Sequence, residues 1–385
     1  MRVVVAPDSF KGSLDAPAAA AAIAEGIVRA APGATVVARP MADGGEGTLD
    51  AVMRAAGAMA TRGSLGVEGA GGARIDAGYG IVERDGAPTA VLEAAQVVAI
   101  TDAAGTSVAV TSRSTRGLGE QIGALLDRGV RRFMIGLGGS STNDGGAGLL
   151  AALGVRFVDT DGRDVAPTPG GLARLAHADA SALDARLGQC EITIMSDVNN
   201  PLAGARGATA IFGPQKGVAP ERVGPIDATL ARYAAIVEAA LGRRASERPG
   251  AGAAGGLGFA LMLAGGTMRS GAEVVADLIG LDAALDGADW AITGEGKSDA
   301  QTLLAKAPSV VADRARPLRV PVSLLSGAVD AASLPALHAR FAGGCFALPA
   351  GPATLDACMR DAAALLADRA EAMTRLFVAA GSARC

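Results

Sequence analysis

Short apolar runs alternate along the chain with Ala-rich stretches and Gly-rich loops. RVVVA reads as a buried strand, PDSFKGS as a loop, the stretch from about Leu14 to Arg29 as a helix, and TVVARP as a second strand. Strand, helix and strand in that order form a βαβ unit of a parallel sheet. A second Gly-rich loop, MADGGEGT, follows TVVARP and opens a helix near Thr48. Both loops sit at strand carboxyl ends, where open α/β sheets bind ligands. From about Thr61 to Gln96 the rhythm changes to short strands punctuated by Gly and Asp-Gly, including VERDGAPTAVLE, which predicts antiparallel hairpins.

The pattern then returns to a helix after Ser114, the strand RRFMIGL, a Gly-rich loop with a helix behind it, and the strand EITIMSD. A long loop through NNPLAGARGATAIFGPQKG leads to a helix near Glu221. DWAIT opens another α/β series near Asp289, with PVSLL and GCFAL as later strands and a C-terminal helix from about Thr354. This closing series repeats the style of the opening one. The expected fold is therefore α/β with two domains: a Rossmann-like parallel-sheet domain split over residues 1–60 and 288–385, and an inserted mixed α/β domain over 61–287 carrying a Gly-rich phosphate loop.

Composition narrows the function. A chain of 385 residues, 50% of them hydrophobic, can bury the cores of two domains. Lys plus Arg is 35 and Asp plus Glu is 39, a net charge of -4 with no basic block, and only 3% of residues are aromatic. These values argue against nucleic-acid partners and point to small molecules. Glycine, at 54 residues, is about twice its usual share of roughly 7% and clusters in loops, as expected where backbone approaches a ligand. Cys190, Cys345, Cys358 and Cys385 form no CxxC pair, and His177 and His338 lie far apart, so neither a disulfide scaffold nor a zinc site is expected. The opening apolar run is too brief for a signal-peptide core, which makes the cytoplasm the expected location. Pro249 to Met268 is uncharged but holds seven glycines and a proline, and reads as a Gly-rich loop feeding a buried helix rather than a membrane span.

Several loops carry chemistry. AITGEGKS, residues 291–298, falls short of a P-loop: Ala291 stands where the first glycine belongs, and the strand runs to Thr293. Glu295, Lys297 and Asp299 nevertheless follow a strand's carboxyl end, where a carboxylate could hold Mg²⁺ and a lysine could meet phosphate. GLGGSSTNDGGAG, residues 136–148, suits anion binding by backbone N–H groups or, equally, a tight turn with Asn143 or Asp144 as helix cap. Ser141 stands where a dinucleotide fingerprint needs its third glycine, which disfavours NAD. SDVNNP, residues 196–201, ends a strand with a carboxylate and two amides, ahead of Arg206 and Lys216. The first loop adds Asp8, Ser9 and Lys11, and the second adds Asp43 and Glu46. Flexible strand-end loops bearing carboxylates and lysines are what phosphoryl transfer needs. Nucleophilic hydrolysis fits less well, since there is no GxSxG elbow.

In order, APDSFKGS, ADGGEGT, GLGGSSTNDGGAGLLAALG, SDVNNPL, FGPQKG, GGLGFAL and GEGKSDAQT followed by KAP resemble the bacterial glycerate kinase family of the galactarate and glyoxylate pathway type, over essentially the whole chain. The resemblance implies ATP- and Mg²⁺-dependent phosphorylation of D-glycerate at the 2-hydroxyl, giving 2-phosphoglycerate, in a cleft between two α/β domains. Ala205 and Arg206 depart from the family pattern, as does Ala305, where a glycine is common and where alanine is expected to stiffen a helix.

Roles follow as expectations. Asp197 is the first choice for general base or metal ligand and Asp8 its rival, with Lys11 and Lys297 completing the catalytic set. Ser9, Asp43, Gly44, Gly45, Glu46, Asn199, Asn200, Arg206 and Lys216 are expected to contact the substrate. Gly138, Gly139, Ser140, Ser141, Thr142, Asn143 and Asp144 are expected to bind the phosphates of ATP, and Glu295 and Asp299 to ligate Mg²⁺. D-glycerate and ATP are the expected partners, with neither nucleic acid nor membrane; a homo-oligomer is compatible with the sequence. The alternatives are 3-phosphorylation, a kinase for another hydroxy or sugar acid, and a non-catalytic nucleotide or sugar-acid binding protein.

Overall fold

The computed structural model describes residues 1–84 and 86–382. Asp85, in the expected Asp-Gly turn, and Cys385 lie outside the described residues. The chain divides into two compact units, one of Met1–Asp43, Asp50–Ala56 and Ala272–Cys385, the other of Gly44–Leu49 and Gly57–Gly271.

The first unit is built on a five-stranded sheet in the order Cys345–Ala347, Val322–Ser326, Trp290–Thr293, Arg2–Val5, Thr35–Ala38. All its pairings are parallel, with Val3 opposite Trp290 and Val4 opposite Ala291. Alternate residues of a strand face opposite sides of the sheet. Val4, Ala291 and Leu324 accordingly join a core with Val310, Val311 and Phe341, while Val3, Val5 and Ile292 join another with Ile23, Ile27 and Leu366. Burial on both faces explains why these strands read as continuous apolar runs. The first helix, Ala16–Ala30, begins two residues later than its apolar pattern because the Asp15 carboxylate caps it, accepting the Ala18 N–H at 2.7 Å. It packs on the C-terminal helix Ala362–Ser382 so closely that a Cβ at Gly26 would fall 2.0 Å from the Ala367 carbonyl oxygen.

The second unit holds a six-stranded sheet in the order Thr267–Arg269, Glu191–Met195, Arg132–Gly136, Ala87–Glu93, Arg74–Arg84, Ala60–Glu68. Its first four strands are parallel and the hairpin strands add antiparallel pairings at one edge. The uncharged stretch after Pro249 forms the buried helix Leu257–Leu263. No helix among the described residues is long and apolar enough to cross a membrane.

Candidate active site

The carboxyl ends of all five strands of the first unit deliver residues to one pocket of about 600 Å³. Asp8 follows Arg2–Val5, Asp43 follows Thr35–Ala38, and Glu295, Gly296 and Lys297 follow Trp290–Thr293. Gly327 and Ala328 follow Val322–Ser326, and Leu348 and Pro349 follow Cys345–Ala347. From Arg2–Val5 the strand order runs outward in both directions. Asp8 and Glu295 thus flank the point where the topology switches, which is where such sheets bind ligands. The Asp8 N–H donates to the Gly294 carbonyl at 2.8 Å and fixes that juxtaposition.

Part of the pocket lining is charged. Asp8 is half-buried and accepts the Ser9 N–H at 2.6 Å. Burial, and then the negative charge of Asp43, push its carboxyl up to about 7; Glu295 adds to the effect, while the Ser9 bond and Lys11 oppose it. A carboxylate poised there can take a proton at neutral pH. The Glu295 carboxyl is raised by burial and held by hydroxyls, Oε1 accepting from Ser298 at 2.9 Å and Thr302 at 2.5 Å, with Lys306 acting in the opposite sense to burial. Lys11, Lys297 and Lys306 supply positive charge to the same lining. The lining also holds the apolar residues Phe10, Leu348, Pro349, Leu355, Met359 and Ala362.

Asp299, expected beside Glu295 as a metal ligand, does not line the pocket. It caps the short helix Ala300–Leu303, accepting the Gln301 N–H at 2.8 Å while its own N–H donates to Thr302 Oγ1 at 3.0 Å. Ala305 is not in a helix either: its φ is 57°, between that helix and Ala307–Ala315. This left-handed backbone explains the glycine of the family pattern.

In the second unit the expected phosphate loop is turned inward. Ser141, Thr142, Asn143 and Asp144 are completely buried. The Ser141 hydroxyl donates to the Val98 carbonyl at 3.0 Å, and Asn143 Nδ2 donates to Thr209 Oγ1 at 2.9 Å. Asp144 accepts the Thr115 N–H and hydroxyl, both at 2.8 Å, and the N–H groups of Gly146 and Gly148, both at 3.1 Å. A carboxylate so engaged organises a turn, so the expected place of Asp144 and Ser141 among the phosphate-binding groups is corrected for their side chains, while Thr142 Oγ1 and Asn143 Oδ1 are buried with no hydrogen-bond partner among the described residues. Ser140 is also buried, and of this stretch Gly138 and Gly139 remain accessible.

Lys216 requires the same correction. Expected against the substrate, it is 5% exposed and donates to the Thr142 carbonyl at 2.7 Å and Ser140 Oγ at 3.2 Å. Burial lowers its ammonium to about 7, against the favourable charge of Asp144. Arg113, also buried, donates to the carbonyls of Ser141 and Lys216, both at 3.0 Å. Together these two cations brace the loop from beneath.

The glycines of the two central loops serve backbone packing. A Cβ at Gly138 would lie 2.4 Å from Gly45 Cα, one at Gly136 would lie 2.5 Å from the Gly44 oxygen, and the Gly138 N–H donates to that oxygen at 3.3 Å. Glu93, with no place in the sequence expectations, accepts the Leu49 N–H at 2.6 Å from a buried position. Its signal was a lone charge inside the apolar run AVLEAA. Glu46, Asp197, Asn199 and Arg206 are exposed, and Gly44 and Gly45 buried. Asp197 accepts the Gly271 N–H at 3.2 Å, and Asn200 Nδ2 donates to the Arg206 carbonyl at 2.8 Å.

Residues 3–378 match the model of the Glycerate kinase family. The chain belongs to the glycerate kinase family. It is 41% identical to the glycerate kinase of Bacillus subtilis strain 168 over 339 residues, 86% of each chain. It is 40% identical to the glycerate 2-kinase of Escherichia coli K12 over 335 residues, again 86% of each. A solved structure from Salmonella typhimurium LT2, of a protein assigned as glycerate kinase 2, superposes with a TM-score of 0.83 at 38% identity, covering 99% of both chains. As a member of this family the protein is a kinase, with ATP as the family's phosphate donor.

Proposed function

We propose that this protein transfers the γ-phosphoryl group of ATP to the 2-hydroxyl of D-glycerate, giving 2-phosphoglycerate and ADP, and that Asp8 is the base. The observation that carries the assignment is the placement of Asp8: a carboxyl that lines the pocket at the switch point, with burial the first cause of its raised proton affinity. Asp8 takes the hydroxyl proton as that oxygen forms its bond to phosphorus and the bond to the ADP oxygen breaks. Lys11, Lys297 and Lys306 offset the charge of the phosphates and of the glycerate carboxylate. Asp197, exposed on the other unit, becomes the second choice for base, and with Asn199 and Arg206 a candidate for substrate contact.

The donor set suits Mg²⁺. Asp8, Asp43 and Glu295 crowd negative charge enough to raise Asp8, and all offer hard oxygen ligands. Among the described residues no group of three or more His, Cys, Asp or Glu is arranged to hold a metal alone. Mg²⁺ typically takes one or two carboxylates and completes its shell with water and phosphate. Asp43 and Glu295 are the residues that would hold it; when bound, Mg²⁺ neutralises phosphate oxygens.

Phosphorus NMR of the purified protein with ATP, Mg²⁺ and D-glycerate, read against authentic 2- and 3-phosphoglycerate, tests the proposal. A 2-phosphoglycerate signal is expected. A 3-phosphoglycerate signal would overturn the position, and no product from folded protein would overturn the acceptor. Asp8→Asn and Asp197→Asn, assayed in parallel, separate the two candidate bases.

A further inference from the structure

The apolar part of the pocket lining has no role in the chemistry just described. D-glycerate is a three-carbon acid with oxygen on every carbon and no apolar face, so a wall of Phe10, Leu348, Pro349, Leu355 and Met359 offers it nothing. The pocket, at about 600 Å³, also falls within the roughly 300–1,000 Å³ of sites that take cofactor-sized ligands. Leu355, on that wall, is 73% exposed and so accessible to a ligand.

The wall is built rather than incidental. The Ser13 hydroxyl donates to the Met359 carbonyl at 2.7 Å, tying the Asp8–Ser13 loop to the short helix Leu355–Arg360. Gly12, at φ 79°, makes the turn that allows this, and a Cβ there would meet Met359 Cε at 2.9 Å. From the C-terminal helix, Arg369 donates to the carbonyls of Pro349 at 2.9 Å and Leu348 at 3.4 Å. One face of the pocket is thus a held apolar surface running from residues 348–362, and the loop beside it leads to Lys11 and Asp8.

We infer that this wall seats the purine base of the nucleotide, with the phosphates directed along the Phe10–Lys11 loop toward Lys11, Lys297 and Lys306. The inference rests on ATP being the phosphoryl donor and assigns the base to the first unit. Apolar contact with the ring faces and a charged end for the phosphates is the division of labour a nucleoside triphosphate demands.

Cys358 lines the same wall and provides a readout independent of turnover. The protein is treated with a maleimide in the presence of ADP, D-glycerate or neither, and labelling of the Cys358 peptide is followed by mass spectrometry, with the Cys190 peptide as internal control. ADP is expected to slow labelling of Cys358 about tenfold, adenosine to slow it at higher concentration, and D-glycerate to leave it unchanged. Leu355→Glu, a change at an exposed position, is expected to weaken ADP binding by calorimetry about tenfold, the loss of part of one apolar contact, with the effect falling on ATP and ADP rather than on D-glycerate. Protection by D-glycerate instead of ADP would reassign the wall to the acceptor and overturn the inference. ADP that binds by calorimetry without protecting Cys358 would move the base elsewhere. Wild-type protein that binds no nucleotide at all would sink the kinase reading beneath it, a failure visible before any variant is made.

Discussion

Replacing Asp8 by asparagine should abolish turnover and stabilise the protein. Asparagine keeps the shape and can still accept the Ser9 N–H through Oδ1, the bond seen at 2.6 Å. What it removes is a negative charge held against burial and against Asp43 and Glu295. Raising a carboxyl from 3.8 to about 7 costs its ionised form roughly 4 kcal/mol, at about 1.36 kcal/mol for each tenfold in proton affinity. Asp8 borders an open pocket, so water screens part of this, and the expected gain is about 1–2 kcal/mol, or about 3–6 °C in Tm.

The pH dependence is more diagnostic. Between about 4 and about 7 the folded protein keeps the Asp8 proton while the unfolded chain has released it, so this group lowers stability as pH rises through that window. The destabilisation is complete above about 7 and absent below about 4. Thermal unfolding of both proteins in EDTA should therefore show a Tm difference that is largest above pH 7 and vanishes toward pH 4. Loss of the base should lower kcat at least about 100-fold. A folded Asp8→Asn protein with near-normal kcat, or a Tm gap that does not change with pH, would refute the reasoning.

Other consequences follow from the second unit and the switch region. Asp144→Ala should cost on the order of 3 kcal/mol or more in urea unfolding, because buried donors on Thr115, Gly146 and Gly148 lose their acceptor, and the KM for ATP in whatever protein folds should change little. Lys216→Met should remove a pH slope: the buried ammonium titrates near 7 when folded and near 10.4 when unfolded, so wild-type stability rises with pH across that window and the variant's does not. Ala305→Gly should stabilise the protein by about 1 kcal/mol by relieving a left-handed alanine, measured by urea midpoint. Gly26→Ala should destabilise by several times as much, since the added carbon falls 2.0 Å from a backbone oxygen of the facing helix.

Much of this molecule was legible before folding, and what was legible is local. Apolar runs marked the strands, Gly-rich stretches marked the turns after them, and the rule that ligands bind beyond strand carboxyl ends pointed to Asp8, Asp43 and Glu295 on three separate loops. GEGKS could be rejected as a P-loop from one missing glycine and the strand that fills its place, yet kept as a pocket wall. Motif order across the chain carried the family. Each of these readings depends on neighbours within a few residues, where backbone preference and side-chain alternation act directly.

Which way a loop faces is decided by packing. GLGGSSTNDGG has the composition of an anion cradle, but the Ser141 hydroxyl, Asn143 Nδ2 and the Asp144 carboxylate are engaged by Val98, Thr209 and Thr115, because a buried donor or charge without a partner is costly. Lys216 reads as a phosphate contact and is instead a brace, since only the folded chain sets its ammonium under Thr142. The perturbed proton affinity of Asp8 needs two carboxyls from distant loops, and the apolar wall brings residues 348–362 beside the loop at residue 10. By itself the sequence determined the elements, the sheet class and the family. The tertiary structure decided which polar groups are spent on the fold and which remain for chemistry, because burial and charge depend on what packs across hundreds of residues of chain.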